Sequence, residues 1–281
     1  MKRPALIILG SAASVPTPYR YTQSILVLGL KNVVLVDCGE ATQIRLQQTG
    51  IDLVKLNAIA ITHIHGDHIF GLFPLLQSFA LRVRSQNLRK RIHVLAPRPL
   101  CNVIEVYAQS ISAEVNQVSQ HLIVCNAVDN VSNKEFLVLD DTSTALMPIR
   151  VQHGNVESYG YIVKLIKRRR KLEPLYVFIS GNGTCDDQCK QLLKSIGIDV
   201  VVHEATFTKY EELRARSTGH ATCIDAGQLA SELEAKLLIL THFSSRYNDK
   251  NLVDCLEQAR AVFSGQVVMA RDLMYIPLNI V

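Results

Sequence analysis

Seven residues, Thr62-His63-Ile64-His65-Gly66-Asp67-His68, place three imidazoles and a carboxylate side by side. Imidazole nitrogen and carboxylate oxygen are the usual ligands of catalytic zinc. The run follows an apolar stretch over residues 56–61 that reads as a buried strand. From a loop at that strand's end, His63 and His65 can face one ion, and Asp67 and His68 a second. Two neighbouring ions can activate a water and clamp both oxygens of a phosphoryl displacement. His153, in Val151-Gln152-His153-Gly154, and His242, in Leu240-Thr241-His242-Phe243, also close strand-like runs. One strand-end histidine is usually just a satisfied polar residue. Two that share the cluster's placement argue for ligands, because active sites collect on the loop edges of layered folds. Glu204, in His203-Glu204-Ala205-Thr206, and His220, in Gly219-His220-Ala221, form a further pair. A glutamate beside an imidazole fixes its tautomer and raises its pKa, as a general acid requires. Spacing alone leaves that pairing open.

The elements that must position these residues read as α/β. Strand-like runs cover residues 5–9, 25–30 and 33–36, with a Ser/Pro/Thr-rich loop over 11–20. Helical patterns follow at 41–49, closed by Gly50, and at 69–83, the latter apolar enough to be core or a dimer face. A strand at 91–95 and a helix at 98–109 precede several short strands over 123–151. Strands at 159–166 and 175–179 flank a basic turn, Lys167-Arg168-Arg169-Arg170-Lys171. Helices at 187–196, 221–234 and 252–263 then alternate with strands at 200–202, 236–240, 266–270 and 274–280. Meanders that give way to alternation suggest two sheets covered by helices.

Composition is consistent with that reading. The chain has 281 residues, 48% hydrophobic and 20% charged, so it can bury a large core and is not a disordered class. No apolar run could span a bilayer, and the short basic and apolar start reads as a first strand; a cytoplasmic protein is expected. The net charge of +5 suits an anionic partner without requiring one. Seven scattered cysteines give no disulfide framework and read as buried thiols, although Cys185 and Cys189 could meet on a helix face.

With these residues in view, the chain resembles the metallo-β-lactamase superfamily and, within it, the ribonuclease Z family of tRNA 3′-processing endonucleases. The resemblance rests on Leu9-Gly10-Ser11 with Pro16-Thr17 and Arg20, Val36-Asp37-Cys38-Gly39-Glu40, and the His63–His68 cluster with Gly71-Leu72. It continues in His153 with Ser158-Tyr159-Gly160-Tyr161, His203-Glu204-Ala205-Thr206-Phe207, the His220 segment, and Thr241-His242-Phe243-Ser244-Ser245-Arg246-Tyr247. It implies a four-layer αββα sandwich over residues 1–281, two zinc ions, a tRNA-precursor substrate and a homodimer. One zinc would be held by His63, His65 and His153, the other by Asp67, His68 and His242. Asp67 would also orient or deprotonate the attacking water. His220, steered by Glu204, would protonate the leaving 3′-oxygen, and Asp37 would brace a ligand.

Two departures stand out. Where the family places a bridging aspartate, this chain reads Ser180-Gly181-Asn182-Gly183-Thr184. Asn182 offers one neutral carbonyl oxygen, so one metal should bind better than two, at the three-histidine side, unless Asp186 or Asp187 substitutes. The second departure is a missing arm. Asn182 comes 29 positions after His153, with only the 167–171 turn between, a phosphate contact or a solvated turn. Three readings follow: an RNA phosphodiesterase, a hydrolase of a smaller ester, or a weakly active metal-binding homologue.

Overall fold

The computed structural model describes residues 4–114, 122–130, 137–139, 143–166 and 174–278. The first half of the chain comprises β1 (Ala5–Gly10), β2 (Ala12–Ala13), β3 (Ser24–Leu28), β4 (Val33–Val36), α1 (Thr42–Gln48), β5 (Leu56–Ala60), α2 (Gly66–Ile69), α3 (Leu72–Ser85), β6 (Ile92–Ala96), α4 (Arg98–Glu114) and β7 (Ile123–Ala127). The second comprises β8 (Leu137–Val138), β9 (Thr144–His153), β10 (Val156–Ile166), β11 (Pro174–Ser180), α5 (Asp187–Ile196), β12 (Val200–Glu204), α6 (Glu212–Thr218), α7 (Cys223–Glu232), β13 (Leu237–Thr241), β14 (Phe243–Ser244), α8 (Asp249–Arg260), β15 (Gln266–Met269) and β16 (Tyr275–Pro277).

Two seven-stranded sheets result, ordered β16-β1-β3-β4-β5-β6-β7 and β15-β13-β12-β11-β10-β9-β8. β4 to β7 run parallel, as do β11, β12, β13 and β15, while the other strands of these two sheets pair antiparallel and β2 pairs with β14 in parallel. Period-two alternation assigns the faces. Leu6, Ile8, Val34 and Val36 join Leu146, Tyr161, Val163 and Val177 of the other sheet in one core. Their neighbours Ile7, Leu9 and Leu35 pack with Leu46, Leu75, Phe79 and Ile104 of α1, α3 and α4 in a second core. α5, α7 and α8 add Leu193, Leu229 and Leu252 beyond the second sheet. The architecture is therefore the four-layer αββα sandwich. Each fully buried large side chain stabilises it by about 1.5–3 kcal/mol, and Phe79→Ala would cost about 3–5 kcal/mol.

Several boundaries differ from the sequence-based expectation. The helix expected at 69–83 is two, because Gly71 lies where a Cβ would meet the Gly39 carbonyl oxygen at 2.1 Å. The apolar face of α3 (Leu72, Leu75, Leu76, Phe79, Val83) is core, which settles its role against a dimer face. α6 has no counterpart in the sequence reading. The cysteine reading also changes: Cys101 pairs with Cys125 and Cys223 with Cys255, each at Cα–Cα 5.5 Å. Sequence spacing does not show that α4 packs on β7 or α7 on α8. Cys38, Cys185 and Cys189 stay free. The thiols of Cys185 and Cys189 do meet, through a hydrogen bond and not a disulfide. The basic turn Lys167-Arg168-Arg169-Arg170-Lys171 lies outside the described residues.

Candidate metal centre

The chemistry-bearing residues stand at strand ends. β5 runs into the loop that carries His63 and His65, and α2 carries Asp67 and His68. β9 ends on His153, β12 on Glu204, and His242 follows β13. Asp37, after β4, and His242 both hold positive φ (59° and 58°). That sparsely populated backbone region is tolerated where surroundings over-determine it, commonly at functional sites. Two glycines permit the closest approaches. A Cβ on Gly219 would lie 2.5 Å from the Gly154 nitrogen, so the His220 segment can meet the end of β9. A Cβ on Gly181 would lie 2.6 Å from Asp37 Oδ2.

These approaches gather three groups of donors among the described residues, one of them Glu204, His220 and His242, which shares His242 with another. One donor atom each from His63, His65 and His153 lies within 4.8 Å of the others, and the same holds for Asp67, His68 and His242. In the second set His68 Nε2 and His242 Nε2 are 3.2 Å apart, and Asp67 Oδ2 is 3.2 Å from His242 Nε2 and 3.5 Å from His68 Nε2. Donors around a tetrahedral ion with bonds of about 2.0–2.1 Å stand roughly 3.3–3.4 Å apart, so this triad fits a metal. The rings are also locked from behind. His68 Nδ1 donates to Asp37 Oδ2 (2.8 Å), and His153 Nδ1 donates to the Gly219 carbonyl (2.8 Å). His242 Nδ1 meets Thr206 Oγ1 at 2.8 Å, and that hydroxyl donates to Glu204. Each leaves Nε2 as the lone-pair nitrogen a metal needs. Thr62 Oγ1 in turn donates to Asp37 (2.9 Å), and the Ser14 amide donates to Asp67 Oδ2 (2.7 Å).

Protonation follows the same logic. Burial pushes His63 well below its ordinary value, helped by the neighbouring imidazoles, and it lowers His65 and His242 as well. Burial takes His153 down to about 4, against the Gly219 carbonyl that opposes the shift. These four rings are neutral at pH 7, the form that binds metal. For Asp67, burial opposes ionisation, but His68 and His242 hold the carboxyl far below its usual range.

His220 stands between the two sets, its ring centroid 4.8 Å from that of His153 and 5.5 Å from that of His242. Its Nδ1 lies 3.1 Å from both oxygens of the buried Glu204 carboxylate. Burial disfavours both charges, yet each raises the other's: Glu204 falls to about 2 and His220 rises above its ordinary value. The Gly183 amide also donates to Glu204. A groove of about 770 Å³ opens on His153 and His220, and another of about 600 Å³ is lined by Phe243, Tyr19, Arg20, Lys250 and Arg271.

Asn182 is fully buried in the Gly181–Gly183 turn. Its Nδ2 donates to Ser158 Oγ (3.2 Å), while Oδ1 has no hydrogen-bond partner. An orphaned buried acceptor at this position suits a cation. Asp186 caps α5 by accepting from the Cys189 amide, and Asp187 is exposed; neither joins a donor set among the described residues. His203 is buried with Nδ1 on the Glu204 carbonyl and joins neither set. Sequence reasoning missed Thr206, Ser14 and Ser158. Thr206 lies in the His203–Phe207 segment and Ser158 in the Ser158–Tyr161 segment that carry the family resemblance, whereas Ser14 has no signal in sequence.

Residues 4–267 match the family described as Anti-Pycsar protein Apyc1. Among curated proteins, the ribonuclease Z of Bacteroides thetaiotaomicron is 29% identical over 320 residues, covering 99% of this chain and 96% of its own. That of Bacillus velezensis is 30% identical, covering 98% and 99%. Human tRNase Z, short form, superposes with TM-score 0.75 at 25% identity over 98% of this chain and 99% of its own. A metallo-beta-lactamase fold protein of Bacillus subtilis superposes with TM-score 0.73 at 19% identity, covering 98% and 99%.

Proposed function

The chain belongs to the ribonuclease Z family and, over residues 4–267, to the Apyc1 family, and from that premise we propose a zinc-dependent phosphodiesterase that cuts tRNA precursors at the 3′ side. The observation that carries this reading is the Glu204–His220 pair set between two triads of metal-type donors. His63, His65 and His153 would hold one zinc, and Asp67, His68 and His242 the other. Asn182 would offer its unpartnered Oδ1 as a further donor, and Asp37 would brace His68. When bound, the ions neutralise the phosphate and acidify the attacking water.

The protein's own part is positional and protonic. Asp67 orients the water and takes its proton as the new P–O bond forms. The P–O3′ bond breaks opposite, and His220 delivers its proton to the 3′-oxygen, leaving a 3′-hydroxyl on one product and a 5′-phosphate on the other. With Nδ1 on Glu204, the Nε2 proton of His220 is the one available for transfer. RNA would be gripped through shape and backbone, with residues 167–171 as one phosphate contact. No described helix is long and apolar enough to cross a membrane, and we place the protein in the cytoplasm as a homodimer, as the family resemblance suggests.

A second reading, a smaller phosphodiester as substrate, is favoured by the 29-position spacing between His153 and Asn182. The alignment to the Bacteroides relative is itself longer than this chain, so that relative carries insertions. Incubation with a precursor tRNA and with a bis-aryl phosphodiester, in zinc or manganese, separates the two. Cleavage of the tRNA at a unique 3′ position supports the first reading, and hydrolysis of the small diester alone replaces it with the second. Neither product, with metal bound, leaves a metal-binding homologue.

A further inference from the structure

We infer that this chain takes up its second metal ion together with a phosphate, because the protein alone offers too little negative charge to hold two ions. The inference rests on the metal centre proposed above. His63, His65 and His153 are uncharged donors, and Asp67 is the one carboxylate among the six side chains of the two sets. Asp37 and Glu204 stand behind the ring nitrogens and are occupied there. The two glycines that flank Asn182 lie against one residue of each set. A Cβ on the preceding Gly181 would lie 3.4 Å from His68 Cε1, and one on the following Gly183 would lie 3.3 Å from the His153 Cβ. The Asn182 amide is committed to Ser158 Oγ through Nδ2, so only the unpartnered Oδ1 remains to face a cation. A carbonyl oxygen donates an electron pair but brings no charge. Two divalent ions about 4 Å apart repel strongly in a partly desolvated site.

The first ion therefore goes to Asp67, His68 and His242, the set with a carboxylate and tetrahedral donor spacing, not to the three histidines that the sequence favoured. The second ion, at His63, His65 and His153, waits for an anion. A phosphodiester supplies one negative charge and a phosphomonoester nearly two. Binding of ion and phosphate is then mutually reinforcing, and linkage requires the same factor in both directions.

The test uses chelator-stripped protein titrated with zinc under free-ion buffering, with adenosine 5′-monophosphate present or with adenosine as the uncharged control. Bound zinc is counted by mass spectrometry after dialysis. With adenosine, one tight ion per chain is expected. With the monophosphate, a second should bind at least tenfold more tightly, and zinc should tighten the nucleotide by the same factor. Asn182→Asp should bind two ions with little dependence on phosphate, while the neutral Asn182→Ala keeps the coupling. Two equally tight ions in adenosine would overturn the inference and leave the centre intact. Coupling of equal size in Asn182→Asp would overturn the role of Asn182. Absence of any tight ion would overturn the centre itself. The reciprocal factors on the unaltered chain decide the matter even if the aspartate variant folds poorly.

Discussion

Replacing Glu204 by Gln should move the alkaline limb of the pH–rate profile to lower pH. The carboxylate stands 3.1 Å from His220 Nδ1 through both oxygens, and it is the main influence raising that imidazole against its burial. A hydrogen bond to a charged group contributes about 1.5–3 kcal/mol and a neutral one about 0.5–1.5 kcal/mol. The exchange thus removes about 1–1.5 kcal/mol of preference for the imidazolium, or about one pKa unit. The acid works only when protonated, so kcat/KM falls as pH rises through its pKa, and a lower pKa moves that fall downward. Bound cations depress His220 in both proteins and leave the difference standing. At pH values above the His220 pKa of both proteins the variant should lose about tenfold, bounded above by the 10²–10⁴ that general acids contribute. The assay is kcat/KM from pH 5.5 to 9 on a precursor tRNA, with zinc content measured alongside. A diester with an activated leaving group should lose much less. An alkaline limb that stays in place at equal zinc content would refute the pairing as the source of acidity.

Gly181→Ala would drive a methyl group to 2.6 Å from Asp37 Oδ2, displacing the brace behind His68; zinc affinity should fall about 10–100-fold, and unchanged affinity by competition with a chelator would count against the brace. Joining Cys223 to Cys255 closes a 32-residue separation, for which loop-closure entropy gives about 3–4 kcal/mol. Reductant should therefore lower the thermal midpoint of the oxidised protein but not of the Cys223→Ser, Cys255→Ser variant, and equal midpoints would show that the pair contributes nothing. Neutralising Lys167, Arg168, Arg169, Arg170 and Lys171 should flatten the salt dependence of RNA binding by about 0.7–0.9 in log–log slope per lost contact, and an unaltered slope would refute a phosphate contact by these residues.

The metal-type donors were legible because they concentrate where apolar runs stop, a pattern that survives in one dimension. β1 and β4 were likewise legible as apolar runs, although strands apolar on both faces do not say which residues enter which core. What stayed hidden depends on contacts between distant segments. Thr206 matters only because β13 delivers His242 beside it. The cysteine pairs exist because α4 lies on β7 and α7 on α8. α6 escaped because its sequence, Glu-Leu-Arg-Ala-Arg-Ser-Thr, buries only Ala215 and shows little apolar periodicity. The split of α2 from α3 follows from a backbone contact at Gly71 that no local propensity encodes. Asn182 was visible as an oddity, but the orphaned state of its oxygen was not.

The clip between β2 and β14, where Ala12 pairs with Phe243, has a bearing on how the molecule is made. It joins the opening loop, whose Ser14 amide braces Asp67, to the segment that carries His242. Synthesis at about 5–20 residues per second leaves on the order of 10–35 s between the emergence of His63 and that of His242. Throughout that interval the ribosome-bound chain displays a histidine cluster that cannot yet close a second coordination set. A truncated product ending before β13 would carry the signature motif and no working centre. If His242 completes the centre, activity reports that synthesis has passed residue 242.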